Sequence, residues 1–136
     1  MTQDDATRAF ELYELGSEHD SAGREAEAVA PYREALALGL PVETALAARI
    51  QLASTLRNVG ELEESVAILR AVVGADPEHR AARMFLALAL VTADRGPEAV
   101  RELLDLLLTN SGPPEQYRRS LRWYADDLVG RAVAEE

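Results

Sequence analysis

Residues 46–77 read LAARIQLASTLRNVGELEESVAILRAVVGADP, and their arrangement of leucine and small residues occurs three times in the chain. The pair Leu52-Ala53 recurs 34 residues later as Leu86-Ala87. The corresponding pair in the first copy, Leu15-Gly16, lies 37 residues before Leu52-Ala53. Three more positions recur at the same two offsets: Ala28, Ser65 and Ala99; Tyr32, Leu69 and Leu103; Ala35, Val72 and Leu106. A period of this length is typical of stacked helical hairpins, so the sequence predicts an all-α solenoid with a long concave surface.

Glycine and proline divide this pattern into helices. Gly23, Gly60 and Gly96 fall inside the hairpins, whereas Gly39–Pro41, Asp76-Pro77 and 112–114 separate the repeats. Asp76 followed by Pro77 predicts the start of the fifth helix, because Asp caps free amides and Pro tolerates the first helical position. Pro31 should kink or shorten the second helix. The predicted helices are 5–21, 24–38, 43–58, 61–74, 77–94, 97–109 and 115–133.

The three copies resemble the tetratricopeptide repeat, whose motif places a large residue before a leucine and a small residue, then Ala, an aromatic and Pro. Leu12, Arg49 and Arg83 stand where the family has Trp, and Leu69 and Leu103 replace a late aromatic. The resemblance implies a right-handed superhelical solenoid of three hairpins plus a C-terminal capping helix. It further implies one domain over 1–136, with repeats over 5–40, 43–76 and 77–111 and a terminal helix that is half of a fourth repeat.

Composition excludes several classes of function. The net charge is −10, and residues 1–64 contain 13 of the 24 acids but only 5 of the 14 basic residues. Such a chain should repel nucleic acid and anionic membranes. The start has no basic and apolar leader, no apolar run approaches about 20 residues, and there is no Cys. We therefore expect a cytoplasmic protein, and an Ala-rich chain without Lys is typical of high-GC bacteria.

The sequence contains few candidate catalytic or metal-binding residues. His19 and His79 lie in different repeats without ligand spacing; His19 should pack in the core, and His79 should lie in solvent at a helix start. No phosphate loop, nucleophile elbow or zinc-protease helix occurs. The sequence predicts no enzyme activity, no catalytic residue, no metal and no cofactor.

In the family that this chain resembles, the first helix of each hairpin lines a concave groove that binds protein or peptide. The resemblance therefore implies a partner-binding groove, whose residues are Tyr13, Ser17, Gln51, Ser54, Asn58, Met84, Phe85, Leu88, Arg119, Arg122 and Trp123. Apolar anchors beside arginines would suit a segment with an acidic flank.

The predicted helix 77–94 is apolar around almost its whole circumference, so its groove side needs a cover. One alternative is that Trp123 of the last helix folds over it. The others are a peptide, a second copy or a small ligand. The leading hypothesis is a non-enzymatic interaction module for a peptide or partner protein. The alternative is a self-assembling homodimer, with the acidic first half facing the Arg-bearing last helix.

Overall fold

The computed structural model describes residues 2–111 and 115–135, with side chains over 2–109 and 117–130. Over these residues the chain forms seven helices and no strand, which confirms the all-α prediction. The helices are α1 (Gln3–Ser21), α2 (Glu25–Leu38), α3 (Val42–Asn58), α4 (Leu62–Ala75), α5 (Arg80–Thr92), α6 (Gly96–Ser111) and α7 (Glu115–Glu135). The predicted break at 112–114 lies outside the described residues.

Each helix packs against its neighbours in the chain, and α3 also contacts α5. Three hairpins, α1/α2, α3/α4 and α5/α6, are followed by α7. Every one of these contacts lies within a hairpin or joins it to the next unit along the chain, as expected for a helical-repeat solenoid. The fold class implied by the resemblance is confirmed.

Small residues bring the helices of each hairpin together. Gly16 lies so close to Tyr32 that a Cβ at Gly16 would be 2.6 Å from the Tyr32 Cε1 atom. Ala53 and Ala87 occupy the same position in the next repeats and are buried. The small residue predicted at this register therefore does make room for the neighbouring helix in the first repeat.

The three hairpins turn in the same way. The N–H of Arg24 donates to the carbonyl of His19 at 2.8 Å, and Glu61 and Arg95 repeat this bond at their own positions. These are Schellman endings, which need a left-handed residue just before the donor. Gly23 and Gly60 occupy this left-handed position in the first two hairpins. The turn of the third hairpin was predicted at Gly96, and that prediction is wrong. Asp94 has φ of 60°, and Gly96 already begins α6.

Of the two effects expected of Pro31, shortening of α2 does not occur, because the helix continues past Pro31 to Leu38; a kink there stays a prediction. One further prediction about a helix end is wrong. Helix α5 begins at Arg80 and not at Pro77, because the cap is His79: its Nδ1 atom accepts the Ala82 N–H at 3.1 Å. His79 is thus a half-buried capping residue and does not lie free in solvent.

We expect His79→Ala to lower the free energy of unfolding by about 1 kcal/mol, because it leaves an amide of the first turn of α5 without an acceptor. His79→Asp restores a capping side chain and should recover the wild-type value. Urea denaturation followed by circular dichroism measures both. Equal stability of the Ala and Asp variants would show that the cap does not contribute.

An ion pair is repeated between the second helices of successive hairpins. Arg33 on α2 makes a bidentate pair with Glu64 on α4, at 2.6 and 2.8 Å. Arg70 on α4 pairs with Glu98 on α6 at 2.6 Å, and these two residues follow Arg33 and Glu64 at the repeat offsets. Arg95 also pairs with Glu98, and the two arginines hold the pKa of Glu98 below its ordinary value. Exposed pairs of this kind stabilise only weakly, but they form the same contact between successive hairpins twice.

Helix α7 packs on α6 through polar contacts at its edges. Arg101 on α6 pairs with Asp126 at 3.2 Å, Arg122 pairs with Asp105, and Arg118 donates to the carbonyl of Leu108 at 2.8 Å. Ala125 is buried between the two helices. Leu103, the equivalent of buried Leu69, is not covered by α7 and is 41% exposed. The last helix therefore follows α6 without closing the α5/α6 seam.

Candidate binding groove

A cleft of about 540 Å³ runs along α3, from Glu43 in its first turn to Asn58 at its end. At 1.5 Å per residue the helix between these two residues is about 22 Å long. The ends of α1 and α2 form one wall, and α5 forms the other. The lining residues are Asp20, Glu25, Glu43, Leu46, Ala47, Ile50, Gln51, Ser54, Thr55, Asn58, His79 and Phe85.

Part of the groove predicted from the sequence comes together here. Gln51, Ser54, Asn58 and Phe85 all line the cleft. Tyr13 and Ser17 are also placed beside it, because both hydrogen-bond to one of these lining residues. The Gln51 amide donates to the Tyr13 hydroxyl at 3.3 Å, and Ser17 donates to the Gln51 Oε1 atom at 3.3 Å.

Met84 and Leu88 lie elsewhere. They line a separate apolar depression together with Ala87, Val91 and Leu103, on the α5/α6 seam. Phe85 projects into the cleft and Met84, one residue earlier, does not, since neighbouring residues on a helix point in different directions.

The predicted residues of the last helix are also distant from the cleft. Arg119 and Trp123 line a shallow depression on α7 with Ser120 and Tyr124, and Arg122 is paired with Asp105. Trp123 is 61% exposed, and Met84 and Leu88 are exposed as well. The alternative in which Trp123 folds over these side chains is therefore wrong.

A polar network forms one wall of the cleft. The Tyr32 hydroxyl donates to the Asp20 carboxylate at 2.7 Å and lies 2.9 Å from the Gln51 Oε1 atom. The buried Thr55 hydroxyl donates to the other carboxylate oxygen of Asp20 at 2.8 Å. Two hydroxyls from two helices thus fix the orientation of this carboxylate.

The pKa of Tyr32 is raised above its ordinary value, first because the side chain is buried and also because the Asp20 carboxylate lies beside it. The phenol therefore stays protonated at physiological pH and acts as a hydrogen-bond donor. Its position supports the cleft wall from behind, since the ring itself is fully buried. We assign Tyr32 a positioning role toward Asp20.

Sequence reasoning missed Asp20 and Thr55. The available signal was Tyr32 itself: a tyrosine at a position where the other repeats have leucine needs a partner for its hydroxyl when buried. The other two acidic residues of the cleft are Glu25, whose carboxylate accepts a hydrogen bond from the Asn58 amide at 3.0 Å, and exposed Glu43.

The cleft has an acidic rim and an apolar floor. Asp20, Glu25 and Glu43 are the carboxylates, and none of the twelve described lining residues is an arginine. Leu46, Ala47, Ile50 and Phe85 supply apolar surface between the carboxylates. Acids gathered along a concave surface strengthen the negative potential there. The arrangement suits an elongated ligand with an apolar side chain and positive charge.

In the part of the chain that the structure describes, no group of three or more His, Asp or Glu side chains is arranged to hold a metal ion. None of the helices in that part has both the length and the apolar character needed to cross a membrane.

Comparison with known proteins agrees with the repeat pattern. A model of the tetratrico peptide repeat family matches residues 9–128, which is most of the chain. Among curated proteins, none matches. The matched region contains every residue that lines the cleft.

Proposed function

The chain belongs to the tetratricopeptide repeat family, and from this premise we propose that it is a non-enzymatic interaction module that binds a segment of a partner protein in the α3 cleft. The family is one of protein-interaction scaffolds. The observation that carries the proposal is the cleft itself, with an apolar floor between oriented carboxylates.

The apolar floor supports an anchor residue in the ligand. Ile50 and Phe85 come from different repeats and face the same space. An apolar side chain that enters between them would leave water on burial, and such buried anchors provide most of the binding energy in interfaces. A length of about 22 Å accommodates roughly seven residues of extended peptide at about 3.3 Å each.

The rim favours a cationic ligand. Because Asp20 is already oriented by Tyr32 and Thr55, it loses little conformational freedom when it accepts a hydrogen bond from an incoming Arg or Lys. Arg119 and Arg122 lie away from the cleft, so the acidic flank expected from the sequence has no counterpart there. A net charge of −10 also favours a basic segment over nucleic acid.

The test is selection from a random heptapeptide library. We expect enriched peptides with an apolar residue near the centre and Arg or Lys on its flanks. A fluorescent peptide of this type should bind more weakly as NaCl rises from 0.05 to about 0.5 M, since salt screens charge attraction. Phe85→Glu should weaken binding at least tenfold, as expected for a central anchor position.

Glu43→Arg and Glu63→Arg form a matched pair for the rim. Both glutamates are exposed and lie in the first turn of a helix, but only Glu43 lines the cleft. Glu43→Arg should slow association and weaken binding several-fold, whereas Glu63→Arg should leave the affinity unchanged. Enrichment of acidic peptides, or equal binding by the folded Phe85→Glu protein, would refute the cleft as the binding site.

A further inference from the structure

The third hairpin exposes a face that the second hairpin buries. In the second repeat, Ile50, Val66 and Leu69 lie in a buried cluster with residues of α5. Their equivalents in the third repeat are the exposed residues Met84, Val100 and Leu103. Leu88, Val91 and Leu107 are exposed as well. The surface on which a further repeat would stack is thus open and apolar.

Helix α7 does not take that place, although its pattern resembles a first repeat helix. It contacts α6 at Arg101, Asp105 and Leu108. At 100° per residue, Arg101 lies about 160° around α6 from Leu103. Helix α7 therefore packs on nearly the opposite side of α6 from the stacking position and leaves the α5/α6 seam open.

The exposed apolar residues of α5 and α6 form one continuous surface. On α5, Met84, Leu88 and Val91 are three or four residues apart and therefore share one side of the helix, and on α6 the same holds for Val100, Leu103 and Leu107. The two sets meet at the seam, where Leu103 lines a depression together with Met84, Leu88 and Val91. We call this surface the distal face; it comprises Met84, Leu88, Val91, Val100, Leu103 and Leu107.

The other end of the solenoid is built differently. On α1, the equivalents of Ala82, Leu86 and Ala89 are Glu11, Leu15 and Glu18, and all three are exposed. The two carboxylates would have to be buried if this surface stacked on the distal face of another molecule, at a high desolvation cost. Head-to-tail growth is thus disfavoured, as expected for a polar terminal repeat.

We propose that the distal face is covered by the distal face of a second copy of the chain, in a two-fold symmetric dimer. Its six large side chains, each about half exposed, amount to on the order of 500 Å² per partner, so a dimer would bury about 1,000 Å² in total, the area that a specific interface should reach. The same patch on both molecules satisfies isologous symmetry and stops assembly at two. The α3 cleft remains outside this interface, so the dimer does not rest on the proposed peptide binding.

Sedimentation velocity of the full chain from about 1 to 100 μM tests the proposal. We expect a species of twice the 14.8 kDa chain mass and no larger one. Each copy carries −10, so raising NaCl to about 0.5 M should maintain or strengthen the dimer. An attraction between the acidic first half and the last helix would instead weaken with salt.

Leu103→Glu and Leu15→Glu are the matched variants, because these leucines are 41% and 40% exposed at opposite ends of the solenoid. Leu103→Glu should raise the dimer dissociation constant at least tenfold, with unchanged helical content, whereas Leu15→Glu should not change it. The proposal fails if the wild type is monomeric throughout, if larger oligomers form, or if the dimer survives Leu103→Glu.

Discussion

Replacing Gly16 with alanine should lower the free energy of unfolding by about 2 kcal/mol, although alanine is the better helix former. The added Cβ would lie 2.6 Å from the Tyr32 ring, closer than carbon atoms pack. The ring is fully buried, and its hydroxyl is held by Asp20 and Gln51. Overpacking costs roughly 1–3 kcal/mol even after relaxation, and here relaxation also breaks hydrogen bonds. This outweighs the gain of about 1 kcal/mol in helix propensity.

Gly74→Ala is the control for Gly16→Ala. Gly74 lies in α4, and nothing is within 4 Å of an added Cβ. That variant should be as stable as the wild type or up to about 1 kcal/mol more stable. Urea denaturation followed by circular dichroism measures both variants. A stable Gly16→Ala protein would contradict the close contact between α1 and α2.

A double variant tests the same contact from the other side. The second repeat combines Ala53 with Leu69 where the first combines Gly16 with Tyr32. Adding Tyr32→Leu to Gly16→Ala recreates the second pair, so the double variant should lose less stability than the two single losses together. Additive losses would mean that the two side chains do not compete for space.

Leu69→Ala should lower the free energy of unfolding by about 2–5 kcal/mol, whereas Leu103→Ala should cost well under 1 kcal/mol in the monomer. The two leucines are equivalent in the repeat, but Leu69 is 1% exposed and Leu103 is 41% exposed. Truncating the first leaves a cavity between α4 and α5. Truncating the second removes atoms that already contact water.

Thermal and urea denaturation measure the stability of both alanine variants. A low protein concentration, near 1 μM, is used so that dimer formation does not contribute to the difference between Leu69→Ala and Leu103→Ala. At 100 μM, Leu103→Ala should show an additional loss relative to wild type, because a dimer stabilises the folded state by mass action. Equal losses for the two variants at low concentration would place a cover over Leu103 within one chain and refute the open seam.

The repeat pattern predicted the helices and their pairing because burial imposes the same constraint three times. Ala35, Val72 and Leu106 occupy equivalent positions in the three hairpins, and all three are buried. The position of α7 could not be predicted in this way. Helix α6 is apolar on several sides, with Leu103 on one and Leu108 on another, so the pattern of α7 fits more than one of its surfaces. The contacts observed at the chosen surface include ion pairs such as Arg101–Asp126, which leave no periodic signal in the sequence.

The candidate cleft was predicted in part for the same reason. Residues of α3 and α5 that face the groove follow from the register, so Gln51 and Phe85 were found. Asp20 has no acidic counterpart in the other repeats, where Arg57 and Val91 stand at its position. The repeat pattern does not predict a partner for a residue that departs from it. The contact of Asp20 with α3 is seen only in the three-dimensional structure.

The repeated ion pair has a consequence for whether further repeats could be added to this molecule. Arg33–Glu64 and Arg70–Glu98 are the same junction used twice, so the second repeat matches its own copy at both ends. If residues 43–76 were duplicated, Glu64 of the first copy would pair with Arg33. Arg70 of the first copy would pair with Glu64 of the second copy, and Arg70 of the second copy would pair with Glu98. The second repeat could therefore be inserted again without changing the ion pairs between successive repeats. The next residue in the series is Leu104, so the series has no arginine with which to begin a further junction.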